Sequence, residues 1–498
     1  MAEVRNAGLQ LKCGKAPGQD AVYTEYLKNM GDEGFQRLTE LCNGINDTVI
    51  TPQDTNRSSF LPIPKKTNAS ECKDFRTISL MSHVLKVLLK VIENRLKPHI
   101  ENQLPEEQYG FRSGVGTRDA ILCLRNICER SIEMSQDVYI CFIDYEKAFD
   151  RVNHNKLMET LHDIGIDGKD LRLLGNLYWD QEAGMSINGK VSTWSKIERG
   201  VRQGCVLSPG LFNVYSEMVL RNIQDLPGIS VGGRFINNVR YADDTALIAD
   251  SSVNLQVLLD KVVAAGADFG LKINVKKTKS MVVSKYNPSP TLSLNVGMES
   301  IEQVRSFVYL GALITEDARS DQEVKRRIAI AKSAFNSIRN LVCNRSLSFC
   351  TRLRMVKCYV YSTFCYSAET WTMNKTARNK INAFEMWTIR RMQKISYTDY
   401  KSNKAVLEGV GLTPSLLREI AKRKLKFFGH TIRHQGLLSN VICGKIPGRR
   451  SRGRQRLTWI NNIKDWTGLK SIGSLVNTSR DRTRWRSITV NPRLEDDT

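Results

Sequence analysis

Three aspartates stand where apolar stretches of this sequence end or begin. Asp144 follows the run Val138–Ile143, and the pair Asp243 and Asp244 precedes the run Thr245–Ala249. Carboxylates are the hard oxygen ligands that magnesium prefers. Two such ions about 3.5–4 Å apart can stabilise both the attacking and the leaving oxygen of a phosphoryl transfer. The three acids therefore suggest a centre for metal-assisted chemistry on phosphate.

The elements that must position these acids can be read from the apolar runs. The run before Asp144 is rich in β-branched and aromatic residues and is predicted to be a buried strand. Phe235–Val239 and the run after the Asp-Asp pair predict a hairpin with the acids at its tip. Because adjacent strand residues point to opposite faces, we expect Asp243 to act with Asp144, while Asp244, at the turn, plays an outer part. An ordinary turn and a helix N-cap at Asp144 are the alternatives.

The composition favours a globular protein that works on a polyanion. The chain has 498 residues, 41% of them hydrophobic, and 74 Lys and Arg against 51 Asp and Glu, a formal net charge of +23. Such an excess neutralises phosphates and releases their counterions. A basic surface that serves only solubility is the alternative, but the dense run Gly448–Arg456 argues against it.

The 12 cysteines form no C-x-x-C pair, and no apolar stretch reaches the roughly 18 to 20 residues that span a bilayer. No secretory leader is visible, so we expect an intracellular protein without membrane partners. We expect it in the nucleus and cytoplasm, although the sequence contains no recognisable targeting signal. The Gly/Arg-rich stretch from residue 447 to residue 454 is typical of a flexible arm that contacts nucleic acid.

Three segments around the acids stand in the order Phe142–Asp150, Arg199–Pro209 and Tyr241–Asp244. In sequence and in order they resemble motifs A, B and C of the reverse transcriptases of non-LTR (LINE-like) retrotransposons. The segments that are similar to the fingers, motif D and primer-grip blocks are Pro62–Lys66, Phe75–Leu80, Gln108–Arg112, Gly270–Lys279 and Tyr309–Gly311. The resemblance is to the endonuclease–reverse transcriptase type, with no endonuclease domain expected in this chain.

The resemblance implies an α+β right-hand polymerase with fingers, a palm built on an antiparallel sheet, a helical thumb and a basic helical C-terminal tail. We expect fingers and an N-terminal extension in residues 1–137, the palm with motifs A to E in 138–315, the thumb in 316–399 and the basic region with its Gly/Arg-rich arm in 400–498. The implied activity is RNA-directed DNA polymerisation. Its partners would be an RNA template, a DNA primer or target and deoxynucleoside triphosphates, with endonuclease activity supplied elsewhere.

The resemblance also assigns roles to individual residues. Asp144, Asp243 and Asp244 would bind two magnesium ions, for which manganese is an alternative. Lys277 would be a general acid near the leaving pyrophosphate, although Lys276 and Lys279 are neighbouring alternatives. The residues implied to bind the nucleotide are Lys65, Arg76, Phe149, Gln203 and Gly204, with Phe149 rejecting ribonucleotides through the 2′ position.

Two further sets complete the implied site. Tyr309, Leu310 and Gly311 would grip the primer end, with a strand packed on the palm as the alternative. The arginines expected to contact phosphates without reading bases are Arg449, Arg450, Arg452, Arg454 and Arg456.

Two other functions share these features. A catalytically silent, repurposed nucleic-acid-binding protein would keep the basic surface and fold but lose turnover. A group II intron maturase-like protein would need a dedicated RNA-binding domain after the thumb. All three acids are present, and this favours the polymerase.

Overall fold

The computed structural model describes residues 1–18, 20–50, 52, 57–179, 181–286, 288–450 and 452–494. The chain folds into two compact units. Unit 1 comprises residues 1–114, 143–226 and 258–277, and unit 2 comprises residues 115–142, 227–257 and 278–498. In the part of the chain that is described, no helix is both long and apolar enough to cross a membrane.

Unit 1 is mostly helical, with one small sheet. Its helices are α1 (Ala2–Gln10), α2 (Thr24–Asn29), α3 (Asp32–Thr48), α4 (His83–Gln103), α6 (His154–Asp163), α7 (Gly168–Trp179) and α8 (Ser208–Leu220). Its strands are β1 (Arg57–Pro64), β2 (Phe75–Leu80), β4 (Glu182–Ile187), β5 (Lys190–Val191) and β6 (Ser195–Lys196). The order is β2-β1-β4-β5, with β6 also paired to β4. The pair Asn188-Gly189 forms the tight β4–β5 turn, with φ of 51° and 79°, as its sequence predicts.

Unit 2 contains the sheet that carries the acid-bearing strands. This sheet runs β12-β13-β11-β3-β10-β9, and separate two-stranded hairpins are formed by β7–β8 and by β14–β15. The strands are β3 (Val138–Ile143), β7 (Ile229–Val231), β8 (Arg234–Ile236), β9 (Asn238–Tyr241), β10 (Asp244–Ala249), β11 (Lys279–Val283), β12 (Leu294–Val296), β13 (Glu299–Gln303), β14 (Ser306–Tyr309) and β15 (Ala312–Thr315). Strand β3 pairs antiparallel with β11, and β9 pairs antiparallel with β10.

Helices make up the rest of unit 2. They are α5 (Thr117–Glu133), α10 (Asp321–Ser337), α11 (Arg339–Val342), α12 (Phe349–Met355), α13 (Ser362–Phe364), α14 (Lys375–Gln393), α15 (Asn403–Glu408), α16 (Leu416–His434), α17 (Leu437–Cys443), α18 (Trp459–Thr467), α19 (Ile472–Arg480) and α20 (Arg482–Val490). A π-helical turn, Val356–Tyr361, separates α12 from α13. One further helix, α9 (Ser252–Asp268), begins in unit 2 and continues into unit 1.

Helix α5 is an interior element of unit 2. Its residues from Ala120 to Leu124 are all fully buried, and so are Ile127 and Cys128. The apolar positions wrap around the helix, which is typical of a helix enclosed by other elements. A helix so enclosed must satisfy any polar group that it carries.

A buried polar network ties α5 to the C-terminal helices within unit 2. The carboxylate of Glu129 accepts hydrogen bonds from Thr372 Oγ1 at 2.7 Å and from the backbone N–H of Trp459 at 2.6 Å. The ammonium of Lys424 donates to Asn462 Oδ1 at 3.0 Å and lies 4.9 Å from the centre of the Trp459 ring. The expected C-terminal tail is indeed helical, but these contacts make it an integral part of unit 2.

Candidate active site

The predicted acid-bearing strand and hairpin are both present. Strand β3 has the predicted bounds, and Asp144 directly follows it. Strands β9 and β10 form the predicted hairpin, in which Tyr241 pairs with Asp244. The expected first arm, Phe235–Val239, is divided between the end of β8 and the start of β9, so its bounds are wrong. Strand β10 is the neighbour of β3 in the sheet. The sheet therefore sets the two acid-bearing segments on adjacent strands.

The turn of this hairpin differs from the expectation. Ala242 and Asp243 are the turn residues, with Ala242 in the left-handed region at φ 56°, and Asp244 is the first residue of β10. The expectation that Asp244 lies at the turn is therefore wrong. The chain reverses at Ala242 and Asp243, one residue earlier than expected, because Tyr241 and Asp244 pair across this two-residue turn. Asp243 is half-exposed and Asp244 exposed.

The chemistry of these acids fits magnesium. Among the described side chains, no three or more His, Cys, Asp or Glu residues are grouped so that they could hold one ion. Magnesium at nucleotide-processing sites commonly takes one or two carboxylates from the protein and fills its remaining positions with water and substrate phosphate. A small set of accessible carboxylates is therefore a suitable donor set, and a closed protein cage is not required.

Within unit 1, Lys277 lies near Asp144. Its Nζ is 3.7 Å from Asp144 Oδ2, and the two side chains are 69% and 40% exposed. The backbone fixes this approach, because the Asn274 N–H donates to the Asp144 carbonyl at 2.8 Å and the Lys277 N–H donates to the Asn274 carbonyl at 3.1 Å. Within unit 2, Lys279 instead pairs with Glu302 at 2.7 Å. Of these two lysines, the structure brings Lys277 to an aspartate of the candidate site.

Two basic positions of the predicted nucleotide site share one hairpin in unit 1. Arg76 lies on β2 and pairs with Ile63 of β1, and Lys65 follows β1 by one residue. The side chains of Lys65 and Arg76 are exposed. The Arg76 guanidinium donates to Gln203 Oε1 at 3.3 Å. The hairpin therefore presents two cations to solvent, where a triphosphate can reach them.

Gln203 and Gly204 form a loop that lies against β2. The Gln203 carbonyl accepts from the Ser79 N–H at 3.0 Å, and the Gln203 side chain donates to Asp150 Oδ1 at 2.9 Å. Gly204 has φ of 105°, and a Cβ there would lie 3.3 Å from the Ser79 carbonyl oxygen. A glycine is therefore required at this close approach. The holding role of Asp150 was not predicted, although the residue ends the motif A segment.

Phe149 packs among aromatic rings of unit 1. Its ring stacks on Phe212 with centroids 4.2 Å apart and planes 19° apart, and it meets Phe111 edge-on at 6.5 Å. Phe212 is fully buried, whereas Phe111 is 53% exposed. Stacking on a buried ring fixes the orientation of Phe149. Nothing in the sequence signalled these aromatic partners.

Tyr309, Leu310 and Gly311 lie at the β14–β15 turn in unit 2. The buried Tyr309 hydroxyl donates to the Val239 carbonyl at 2.9 Å and lies 3.3 Å from the Asp244 carbonyl oxygen. Burial raises the pKa of Tyr309 well above its usual value, and the nearby Asp244 acts in the same direction. The hydroxyl therefore stays protonated and links this hairpin to the strand that begins with an acid.

Side chains from the following helices hold the same turn. The Tyr366 hydroxyl donates to the Leu310 carbonyl at 2.8 Å, and Arg327 donates to the Gly311 carbonyl. Arg327 also stacks over the Tyr366 ring at 4.5 Å. The apolar residues of Val304–Leu313 predict one strand-like run. The left-handed backbone at Leu310 and Gly311, with φ of 47° and 76°, divides it into two strands.

The arginines of the basic arm are not equivalent. The exposed ones are Arg449, Arg450, Arg452 and Arg454, and Ser451 between them lies outside the described residues. Arg450 pairs with Glu133 at 2.8 Å. Arg456 is half-buried and donates to the Asp317 carbonyl. Arg456 lies beyond the stretch 447–454 that is expected to form the arm, and its guanidinium has a backbone acceptor inside unit 2.

Comparison with known proteins gives a consistent set of matches. Residues 63–314 match the profile of a family described as reverse transcriptase (RNA-dependent DNA polymerase). The chain is 32% identical over 319 residues to the retrovirus-related Pol polyprotein from type-2 retrotransposable element R2DM of Drosophila melanogaster, a match that covers 61% of this chain and 29% of that protein. It is 23% identical over 474 residues to the RNA-directed DNA polymerase from mobile element jockey of Drosophila funebris, covering 92% and 50%.

Among solved structures, apo telomerase from Candida tropicalis matches with a TM-score of 0.41 and 12% identity, covering 84% of this chain and 74% of that one. The chain spans half or less of the length of these two retroelement proteins.

Proposed function

Because this chain belongs to the reverse transcriptase (RNA-dependent DNA polymerase) family, we propose that it extends the 3′ end of a DNA primer on an RNA template by two-metal-ion nucleotidyl transfer. The predicted resemblance to non-LTR retrotransposon enzymes and the predicted α+β class of a right-hand polymerase are confirmed. The observation that carries the proposal is the sheet of unit 2, in which β3 and β10 are neighbours and each adjoins aspartates of the candidate site.

In this proposal, Asp144, Asp243 and Asp244 hold two magnesium ions, with manganese as an alternative. Such ions, when bound, lower the barrier by stabilising charge on the attacking 3′ oxygen and the departing pyrophosphate. The aspartates supply oxygen ligands from the ends of buried strands. Strands that are fixed by packing keep these ligands in place without large motions of their own.

Lys277 is proposed to donate a proton to the leaving pyrophosphate. Its closeness to Asp144 supports this role, since the contact holds the ammonium beside a residue of the site before a nucleotide arrives. Lys65 and Arg76 are proposed to bind the triphosphate, the lysine as a point charge and the arginine through its planar fork. Arg76 lies on β2, and Lys65 follows β1 and donates its N–H to the Asp74 carbonyl at 2.8 Å, so both backbones are held by the β1–β2 hairpin.

Phe149 is proposed to exclude the ribose 2′-hydroxyl, and its stacked contact with Phe212 supports this role because a sterically selective ring must not move aside. Gln203 and Gly204 are proposed to lie under the base pair that forms. Tyr309, Leu310 and Gly311 are proposed to hold the primer end. The contact of Tyr309 with the Asp244 backbone supports a fixed spacing between the primer and the acids. The exposed arginines of the arm are proposed to contact phosphates.

The test is incorporation of deoxynucleotides on a poly(rA) template with an oligo(dT) primer and magnesium. The purified chain should be active, and Asp243→Ala/Asp244→Ala should lose at least about a thousandfold in rate, because metal ligation contributes several kcal/mol to such barriers. Asp250→Ala is the matched control. Asp250 is an exposed acid just beyond the other end of β10, where it accepts from Asn254 at 2.7 Å.

Equal activity in all three proteins would refute the assignment of the acids. Absence of activity in all three, with salt-sensitive RNA binding intact, would favour the second candidate function, a catalytically silent nucleic-acid-binding protein.

A further inference from the structure

The segment between α14 and α15 displays two tyrosines to solvent. Ser396–Lys401, here named the tyrosine loop, carries Tyr397 and Tyr400, whose exposures are 88% and 94%. No other tyrosine of the described chain is exposed beyond 65%. Aromatic rings usually gain free energy by burying a large apolar area. A pair left in water is therefore available for a flat, apolar ligand surface.

The tyrosine loop is fixed by hydrogen bonds at both ends. The Asp399 carboxylate accepts from the Ser396 N–H at 2.8 Å and so closes a capping box within the loop. The Arg390 guanidinium donates to the Lys401 carbonyl at 2.5 Å and to Asn403 Oδ1 at 3.0 Å. Near the loop's two ends, α14 and α15 contribute the members of a buried apolar cluster, Met386, Ile389 and Val406. The loop thus presents its tyrosines from a defined support.

Left-handed residues close two helical turns of this region. Lys394 ends α14, and Tyr400 ends the short helical turn Tyr397–Asp399, with φ of 56° and 47°. Such conformations are common at helix C-termini. The Tyr400 N–H donates to the Tyr397 carbonyl at 3.2 Å. The position of Tyr400 is therefore set by the helical turn before it.

Cations flank the tyrosines along the chain. Residues 390 to 404 contain five basic side chains and one acid. The acid is Asp399, whose carboxylate is engaged by the loop's own backbone. The basic residues are Arg390, Arg391, Lys394, Lys401 and Lys404. This balance is complementary to a phosphate backbone.

We propose that the tyrosine loop binds single-stranded RNA, with bases stacked on Tyr397 and Tyr400 and the flanking cations near the phosphates. Aromatic platforms within a basic surface bind single strands without sequence preference, because every base has a flat face to stack. A duplex cannot use these rings, since its bases are already stacked on one another. The choice of RNA rests on the proposed function, in which the template is RNA.

The experiment is fluorescence anisotropy with a labelled oligouridylate of about 16 nucleotides, the upper site size of one single-strand-binding fold. Magnesium and nucleotides are omitted. Tyr397→Ala/Tyr400→Ala should weaken binding at least about tenfold, since each stacked base contributes about 1–3 kcal/mol. The dependence of the logarithm of the binding constant on the logarithm of the salt concentration should stay unchanged, because no charge is removed. Tyr397→Phe/Tyr400→Phe should bind like the parent chain.

The matched control is Tyr286→Ala, which removes another exposed tyrosine, 62% exposed, elsewhere in unit 2. It should leave binding unchanged. Unchanged affinity of the double alanine variant would overturn the proposal. An equal loss on a blunt duplex would overturn stacking. Unchanged RNA affinity with altered self-association in light scattering would identify the loop as a protein contact.

The outcome is separable from that of the proposed function, because binding is measured without chemistry. Asp243→Ala/Asp244→Ala should keep the loop-dependent binding. An active polymerase whose RNA affinity does not depend on the tyrosines would refute this proposal alone. A chain without polymerase activity whose RNA affinity does depend on them would refute the proposed function alone.

Discussion

Two groups of charged residues differ in their exposure to water. One group lies at the ends of β3 and β10, and the other lies beneath the C-terminal helices. Asp144 is 40% exposed at its side chain and Asp244 is exposed, whereas Glu129 is 4% and Lys424 0% exposed. The side chains of the first group are at least partly accessible to water, where an ion or a substrate could reach them. The second group is enclosed and has hydrogen-bond partners within the protein. Charge is therefore accessible in one region and contributes to the cohesion of the fold in the other.

The largest effect expected from this comparison is on stability. Glu129→Ala should lower the free energy of unfolding by about 3–5 kcal/mol, because it leaves the Trp459 N–H and the Thr372 hydroxyl without their acceptor and removes a carboxylate that acts on the buried Lys424. Urea denaturation would measure it. Glu302→Ala is the control, since its ion pair with Lys279 is 68% exposed on the glutamate side, and the loss should stay below about 1 kcal/mol. Similar losses in both variants would remove the distinction between the two regions.

A smaller effect separates the arginines of the arm. Replacing the exposed Arg449, Arg452 and Arg454 by glutamine should reduce the dependence of log Kobs on log salt by about 2 for single-stranded RNA, at about 0.7 per phosphate contact. Binding titrations from low to high salt would measure this slope. Arg456→Gln should change the slope less and lower stability, because that guanidinium is bonded to the Asp317 carbonyl. Equal slopes for the parent and the triple variant would contradict the phosphate contacts.

The smallest effect is a pH dependence. Burial lowers the pKa of Lys424 well below its usual value, so between that lowered pKa and about 10.4 the unfolded chain binds a proton that the folded chain does not. The free energy of unfolding therefore rises with pH across this window as far as Lys424 is concerned. As pH rises through this window, the free energy of unfolding of the parent chain should therefore increase relative to that of Lys424→Met. A difference that is constant with pH would show that Lys424 titrates normally.

The local elements of the candidate site could be predicted because their signals are short-range. The run Val138–Ile143 is apolar throughout and bounded by polar residues, so strand β3 has the predicted limits. The hairpin before and after the Asp-Asp pair followed from two apolar runs with a short break. The apolar spacing in Leu255–Phe269 predicts a helix, and the structure has one over Ser252–Asp268, an offset typical of helix ends. The predicted domain boundaries and site roles stay predictions.

The parts that could not be predicted depend on contacts between distant residues. In the sequence, Glu129 is an ordinary glutamate within a predicted helix. Its partner is the backbone N–H of Trp459, and a backbone group cannot be recognised as a partner from residue types. Arg456 cannot be told from the other arginines of its run, although it alone is bonded to Asp317. The exposure of Tyr397 and Tyr400 depends on which elements cover them, and spacing does not encode this. The division of Val304–Leu313 had one local signal, since Gly311 permits a left-handed turn.

The bond between Glu129 and Trp459 joins residues that are 330 positions apart. A ribosome that adds about 5–20 residues per second makes the second partner roughly 15 to 65 s after the first. Throughout that interval the carboxylate on α5 has no Trp459 to bind, and the apolar faces of the helix lack the C-terminal helices. Unit 2 therefore cannot complete its folding before Trp459 has been made. Until then, α5 exposes apolar surface to the nascent chain's surroundings, and exposed apolar surface of this kind promotes aggregation.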